Sequence, residues 1–140
     1  MKILLAADGS AYTKRMLAYV AAHDEWLGAR HEYTVLYCVP EVPDGAASLV
    51  GADVLRRFYD EDAEAVFRPI RSFFAQQGIA ATFVHSVGHA ADAIAKLATE
   101  GRFELLAMGS HGHGKIAGVV LGSVATKVLA TCSVPVLLVR

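Results

Sequence analysis

At 140 residues and 14.9 kDa the chain has the length of one domain, and such a chain buries roughly two-thirds of its unfolded surface. Its composition, 54% hydrophobic and 19% charged, excludes a disordered segment. Lys and Arg total 13 against 14 Asp and Glu, and the net charge of −1 argues against duplex nucleic acid or an anionic membrane as partner. A small anion held by backbone groups stays open.

In chain order, residues 2–7 form a continuous apolar run closed by Asp8-Gly9-Ser10, the pattern of a strand buried on both faces. Residues 11–27 carry Met16, Leu17, Val20, Ala21 and Leu27 at helical spacing, and Gly28 stops them. Residues 33–39 are β-branched and aromatic and predict the second strand. Residues 40–51 hold two prolines and two glycines and read as the one long, mobile loop. Residues 54–77 predict a long helix with a charged, solvated face, which Pro69 should kink or restart.

Residues 81–87 read as strand three, 90–99 as a helix with Ile94 and Leu97 facing in, and 103–108 as strand four. Gly122-Ser123 opens a helix over 124–131, and the last strand runs from Val134 to Val139. Strands alternating with helices predict βαβ units, a parallel sheet and right-handed crossovers. Pro135 cannot donate to a central ladder, so this last strand belongs at an edge.

No apolar run reaches the roughly 18 residues of a spanning helix. The apolar start at residues 1–7 is too short for a signal peptide. Cys38 and Cys132 sit in apolar stretches and read as small buried hydrophobes, suited to a reducing cytosol. The expected setting is cytoplasmic.

The stretch richest in chemistry is Met108-Gly109-Ser110-His111-Gly112-His113-Gly114-Lys115, followed after seven residues by Ser123. Glycines after a parallel strand let backbone N–H groups approach a phosphate, and a helix start at Gly122-Ser123 adds free donors and the positive dipole end. On spacing alone this is balanced by a plain turn with a serine cap. Gly109 to Lys115 also fits seven positions of a P-loop, but Ile116 stands where Ser or Thr must hold magnesium.

The full spacing, Gly109-x-x-Gly112, nine residues, then Gly122-Ser123, resembles the Gly-2x-Gly-9x-Gly-Ser/Thr motif of the universal stress protein family. Ala6-Ala7-Asp8-Gly9-Ser10 is similar to that family's first strand and turn. Leu121-Gly122-Ser123-Val124-Ala125 is similar to its phosphate turn, and Val134-Pro135-Val136-Leu137-Leu138-Val139 to its last strand.

The resemblance implies one doubly wound α/β domain over residues 1–140, a five-stranded parallel sheet of order 3-2-1-4-5 with helices on both faces, and binding of ATP. It places Ala6, Ala7 and Asp8 around adenine and ribose, Val39 against the base, and Met108 and Gly109 along the nucleoside. It assigns His111, Gly112, Gly122, Ser123, Val124 and Ala125 to the phosphates. A homodimer through the last strand is implied as well. The family's Gly-x-Pro start of the third helix is absent, replaced by Gly88-His89-Ala90.

Each of these residues has a plainer task available. Asp8 and Ser10 are ordinary turn and capping chemistry. His111 and His113, with Asp8 as the one further candidate, make a weak zinc set. Magnesium or manganese arriving with ATP fits better. His85 reads as partly buried, His89 as a surface position, and Lys115 as a loop lysine that either screens phosphate or is solvated. Cys132 near a helix C-terminus reads as inert. The expected role is nucleotide-dependent signalling or protection under stress, with at most weak ATP hydrolysis. The alternatives are a slow ATPase or nucleotidyl-transfer enzyme, with Asp8 or His111 to position water, and a dimeric scaffold without ligand.

Overall fold

Five short strands carry the fold: β1 (Lys2–Ala6), β2 (Glu32–Val39), β3 (Ala81–Val87), β4 (Leu105–Gly109) and β5 (Val136–Val139). They form one parallel sheet in the order β3-β2-β1-β4-β5. The structure is a computed structural model that describes residues 1–114 and 117–140. The helices are α1 (Ala11–Ala22), α2 (Asp24–Leu27), α3 (Asp44–Ala47), α4 (Ala52–Gln76), α5 (Ala90–Glu100) and α6 (Ser123–Thr131).

Side-chain alternation in the strands builds a core on each face of the sheet. Ile3 and Leu5 of β1 join Met16, Leu17 and Val20 of α1 and Phe67, Ile70 and Phe74 of α4 on one face. Leu4 joins Ile94 and Ala98 of α5 and Val128 of α6 on the other. Ile3, Leu4 and Leu5 are all fully buried, which explains an uninterrupted apolar run rather than an alternating one.

Several expectations are corrected. The first helix breaks at His23, whose φ of −125° and ψ of 48° leave the helical region. The His23 Nδ1–H donates to the Tyr19 carbonyl over 2.8 Å, the acceptor that the His23 backbone N–H would have used in a continuing helix. Pro69 does not divide α4, which runs unbroken for 25 residues. The proline costs one helical hydrogen bond. Phe67, Ile70 and Phe74 on either side of it bury against the same sheet face and hold the axis. The 40–51 segment contains the single turn α3, and the Tyr59 hydroxyl accepts the Val42 N–H at 3.0 Å.

The charged face of α4 is not wholly solvated. Asp62 accepts from the Tyr37 hydroxyl at 3.2 Å, and Asp60 stands 3.2 Å from His85 Nε2. Both cysteines are half-buried rather than buried. Strand five starts after Pro135, whose carbonyl accepts the Leu106 N–H at 2.9 Å. It pairs with β4 alone and is an edge, as the proline requires. Among the described residues no helix is long and apolar enough to cross a membrane.

Candidate functional site

Strand order reverses between β1 and β4, and their carboxyl ends lie side by side, with Ala6 paired to Met108. The connections from these two strands leave toward opposite faces, so a crevice opens between them, as in open α/β sheets generally. It has a volume of about 260 Å³. One wall is Ala6, Ala7 and Asp8; the other is Met108 and Gly109 with the loop from His111 to Gly114. The start of α6, from Gly122 to Ala125, closes one end. Leu36, Tyr37 and Cys38 of β2 and Ala90 and Ile94 of α5 line the rest.

Asp8 is held at the mouth by two bonds to one oxygen. Its Oδ1 accepts the Ser10 N–H at 2.9 Å and the Thr13 hydroxyl at 3.0 Å. The cap of α1 is Ser10, whose Oγ accepts from the Thr13 N–H at 3.4 Å. Asp8 therefore shapes the turn ahead of the helix rather than capping it, and its Oδ2 points toward Gly112. A methyl added to Gly112 would stand 2.6 Å from that oxygen.

The three motif glycines differ in what they permit. A Cβ on Gly109 would meet Tyr12 Cβ at 2.6 Å, so this glycine lets α1 pack on the end of β4. Gly112 lets the loop approach Asp8. A Cβ on Gly122 would lie 3.1 Å from His111 Cα and 3.2 Å from the Ser110 carbonyl. That carbonyl also accepts the Gly122 N–H at 2.7 Å, so the two ends of the loop touch. Gly122 is the N-cap of α6 and has no side chain to satisfy the first-turn N–H groups.

The histidines fasten the loop. His111 Nε2–H donates to the Val119 carbonyl at 2.9 Å, and its Nδ1 stands 2.9 Å from the Oγ of buried Ser110. Its ring lies 5.1 Å from that of Tyr12. His113 Nε2–H donates to the Asp8 carbonyl at 2.8 Å. Three of the four imidazole nitrogens are thus engaged with protein atoms, and no group of three or more metal-ligating side chains occurs among the described residues.

A model of the "Universal stress protein family" matches residues 1–140. The chain belongs to the universal stress protein family. It is 34% identical over 138 residues to a universal stress protein of Thermus aquaticus, described as lying in a QAH/OAS sulfhydrylase 3′ region, covering 99% of this chain and 97% of that one. Solved universal stress proteins share its fold. UspA from Lactobacillus plantarum superposes with a TM-score of 0.79 at 20% identity, covering 100% of this chain and 97% of the other. A universal stress protein in complex with cAMP gives 0.73 at 20% identity, covering 100% and 97%. A family protein from Arabidopsis thaliana with AMP bound gives 0.70 at 13% identity, covering 99% and 90%.

In this universal stress protein every residue that the family resemblance nominates lines the crevice except Val39. Val39 is 1% exposed and packed in the core with Val35, on the sheet face covered by α1 and α4. Alternation along β2 turns Leu36 to the opposite face, and Leu36, Tyr37 and Cys38 supply the wall instead. Sequence reasoning also missed Thr13, Ala90, Ile94, His113 and Gly114. Thr13 and Ile94 lie on helices whose docking angle no local pattern reports. His113 was legible as a loop histidine but not as a tie to β1.

Lys115 and Ile116, which decide the P-loop comparison, lie outside the described residues. Burial is the first cause that pushes the Tyr37 hydroxyl up to about 12, with Asp62 adding to it. Burial likewise raises the Cys38 thiol, against a smaller opposing effect of Ser86. The protonated thiol donates to the Gly88 carbonyl at 3.3 Å.

Proposed function

We propose that this universal stress protein binds ATP in the crevice between β1 and β4, as a cytoplasmic nucleotide-dependent module that works as a homodimer rather than as a catalyst. The observation that carries the reading is the start of α6. Gly122 caps the helix without a side-chain acceptor, and Ser123, Val124 and Ala125 line the crevice with first-turn N–H groups that have no intrahelical partner. Such a helix start attracts phosphate through its donors and its dipole. Gly112 supplies a second side-chain-free approach from the facing loop.

The apolar half of the crevice, made by Ala6, Leu36, Ile94 and Met108, suits the base. Asp8 Oδ2 is left as an acceptor for a ribose hydroxyl. AMP and cAMP complexes of two relatives support a nucleotide here. Magnesium or manganese would enter with the phosphates, held by phosphate oxygens and water. The reduced thiols suit a cytoplasmic setting.

The test combines two measurements. Nucleotide released on denaturing the purified protein is identified by mass spectrometry, and ATP, AMP and cAMP are titrated against the wild type and Gly122→Ala. The new methyl forces the loop ends apart by a few tenths of an ångström. ATP affinity should fall about tenfold, equivalent to about 1.4 kcal/mol. A folded variant with unchanged ATP affinity would remove the phosphate assignment.

A further inference from the structure

We propose that Thr13 is a positioning residue that fixes which oxygen of Asp8 is left free at the crevice, and through it makes the site select a ribose over a deoxyribose. This inference rests on the ATP reading of the crevice. Thr13 lies on α1, is only 4% exposed and lines the crevice wall with Asp8. Its hydroxyl oxygen accepts the Asp8 N–H at 3.0 Å, and the same hydroxyl donates to Asp8 Oδ1 at 3.0 Å. A hydroxyl has a single hydrogen to give. Thr13 thus grips one residue twice, as acceptor from its backbone and as donor to its side chain.

The Asp8 carboxylate is thereby oriented as well as placed. Oδ1 takes the Thr13 hydroxyl and, at 2.9 Å, the Ser10 N–H. Among the described residues none donates to Oδ2, which is turned toward Gly112 in the facing loop. Asp8 is also the single carboxylate on the crevice wall among the described residues. An ionised carboxylate oxygen accepts hydrogen bonds and repels phosphate. The apolar half of the crevice suits the base and the start of α6 suits the phosphates. The sugar between them is the part of the nucleotide that brings neutral donors to Oδ2.

Losing the Thr13 hydroxyl has two consequences of different kinds. The Asp8 N–H loses its acceptor, which costs stability whatever the ligand. Oδ1 keeps one bond, from Ser10, and the carboxylate can turn about its Cβ–Cγ bond, so Oδ2 no longer holds one position. Only the second consequence changes how the site tells apart two ligands that differ by one hydroxyl.

The experiment titrates ATP, 2′-deoxy-ATP and 3′-deoxy-ATP against the wild type, Thr13→Val and Thr13→Ser. Valine keeps the branched shape without the hydroxyl, and serine keeps the hydroxyl without the methyl. The readout is the ratio of the affinity for ATP to that for the weaker deoxy analogue. A change in the folded fraction cannot move this ratio, because both ligands meet the same protein. The wild type should favour ATP about tenfold, the scale of one hydrogen bond to a charged acceptor. Thr13→Val should lower the ratio to about twofold or less, and Thr13→Ser should keep the wild-type value.

A ratio preserved in Thr13→Val overturns the inference. So does a wild type that binds ATP and both deoxy analogues equally, because Oδ2 then meets no sugar hydroxyl. If Thr13→Val does not fold, Thr13→Ala, which adds no bulk to the buried position, carries the same comparison. A wild-type chain that binds none of the three nucleotides overturns the ATP reading itself, and the two failures are thereby told apart.

Discussion

Gly112→Ala perturbs one contact and leaves the rest of the site in place. Apart from its chain neighbours, the only described atoms within 4 Å of a new methyl belong to Asp8, with Oδ2 at 2.6 Å and Cγ at 3.8 Å. Ordinary contact begins at 3.4 Å, so the carboxylate or the loop must move by the difference. Turning the carboxylate away draws Oδ1 off the Ser10 N–H and the Thr13 hydroxyl, now at 2.9 and 3.0 Å. Each such bond contributes about 0.5–1.5 kcal/mol net, so weakening both should cost about 1–2 kcal/mol. For a domain of this size that lowers Tm by about 3–6 °C.

Thermal and urea melts followed by circular dichroism measure the cost. The mechanism is decided by combining the change with Asp8→Ala, which removes the obstructing oxygen. In that background the Gly112→Ala methyl has nothing to strike, and the second substitution should cost only a few tenths of a kcal/mol. The expected coupling is therefore about 1 kcal/mol or more. Simple additivity of the two single changes would refute the claim that Gly112 is a glycine because of Asp8.

Two further outcomes follow from the packing. Burial pushes Tyr33 and Tyr37 up to about 12 from 10.0, so the unfolded chain loses these protons first as pH rises. Their stabilisation is whole below about pH 10 and is lost progressively toward pH 12. Chemical denaturation across that window should show the fall, and Tyr33→Phe or Tyr37→Phe should reduce it; an unchanged slope in both variants counts against this. For the proposed dimer, Leu137 packs toward the α1/α4 core and Leu138 toward the α5/α6 core, so Leu137→Lys and Leu138→Lys sample both faces of the edge strand. At least one should run as a folded monomer by gel filtration with light scattering. Two folded variants that both stay dimeric exclude β5 as the interface.

The sequence by itself carried the order of strands and helices along the chain and the edge position of β5, and these rest on local signals. Most of the crevice was named by the resemblance to the universal stress protein family, since the glycine spacing alone was balanced by a plain turn. An apolar run such as residues 2–7 demands burial on both faces, Pro135 forbids a central ladder, and glycines at fixed spacing mark where a backbone must come close. Helix α1 was over-extended because the competition between the His23 ring and its own N–H for the Tyr19 carbonyl leaves no trace in hydrophobic spacing.

What only the tertiary structure decided was which residues face the same space. Val39 and Cys38 are neighbours in β2, equally apolar by composition. Alternation sends Val39 into the core and Cys38 to the crevice, and the absolute phase was set by which face of the sheet α4 covered. The ties from His113 to Asp8 and from Gly112 to the same residue join segments about a hundred positions apart. No local pattern encodes such a contact, because its geometry exists only once β1 and β4 have paired.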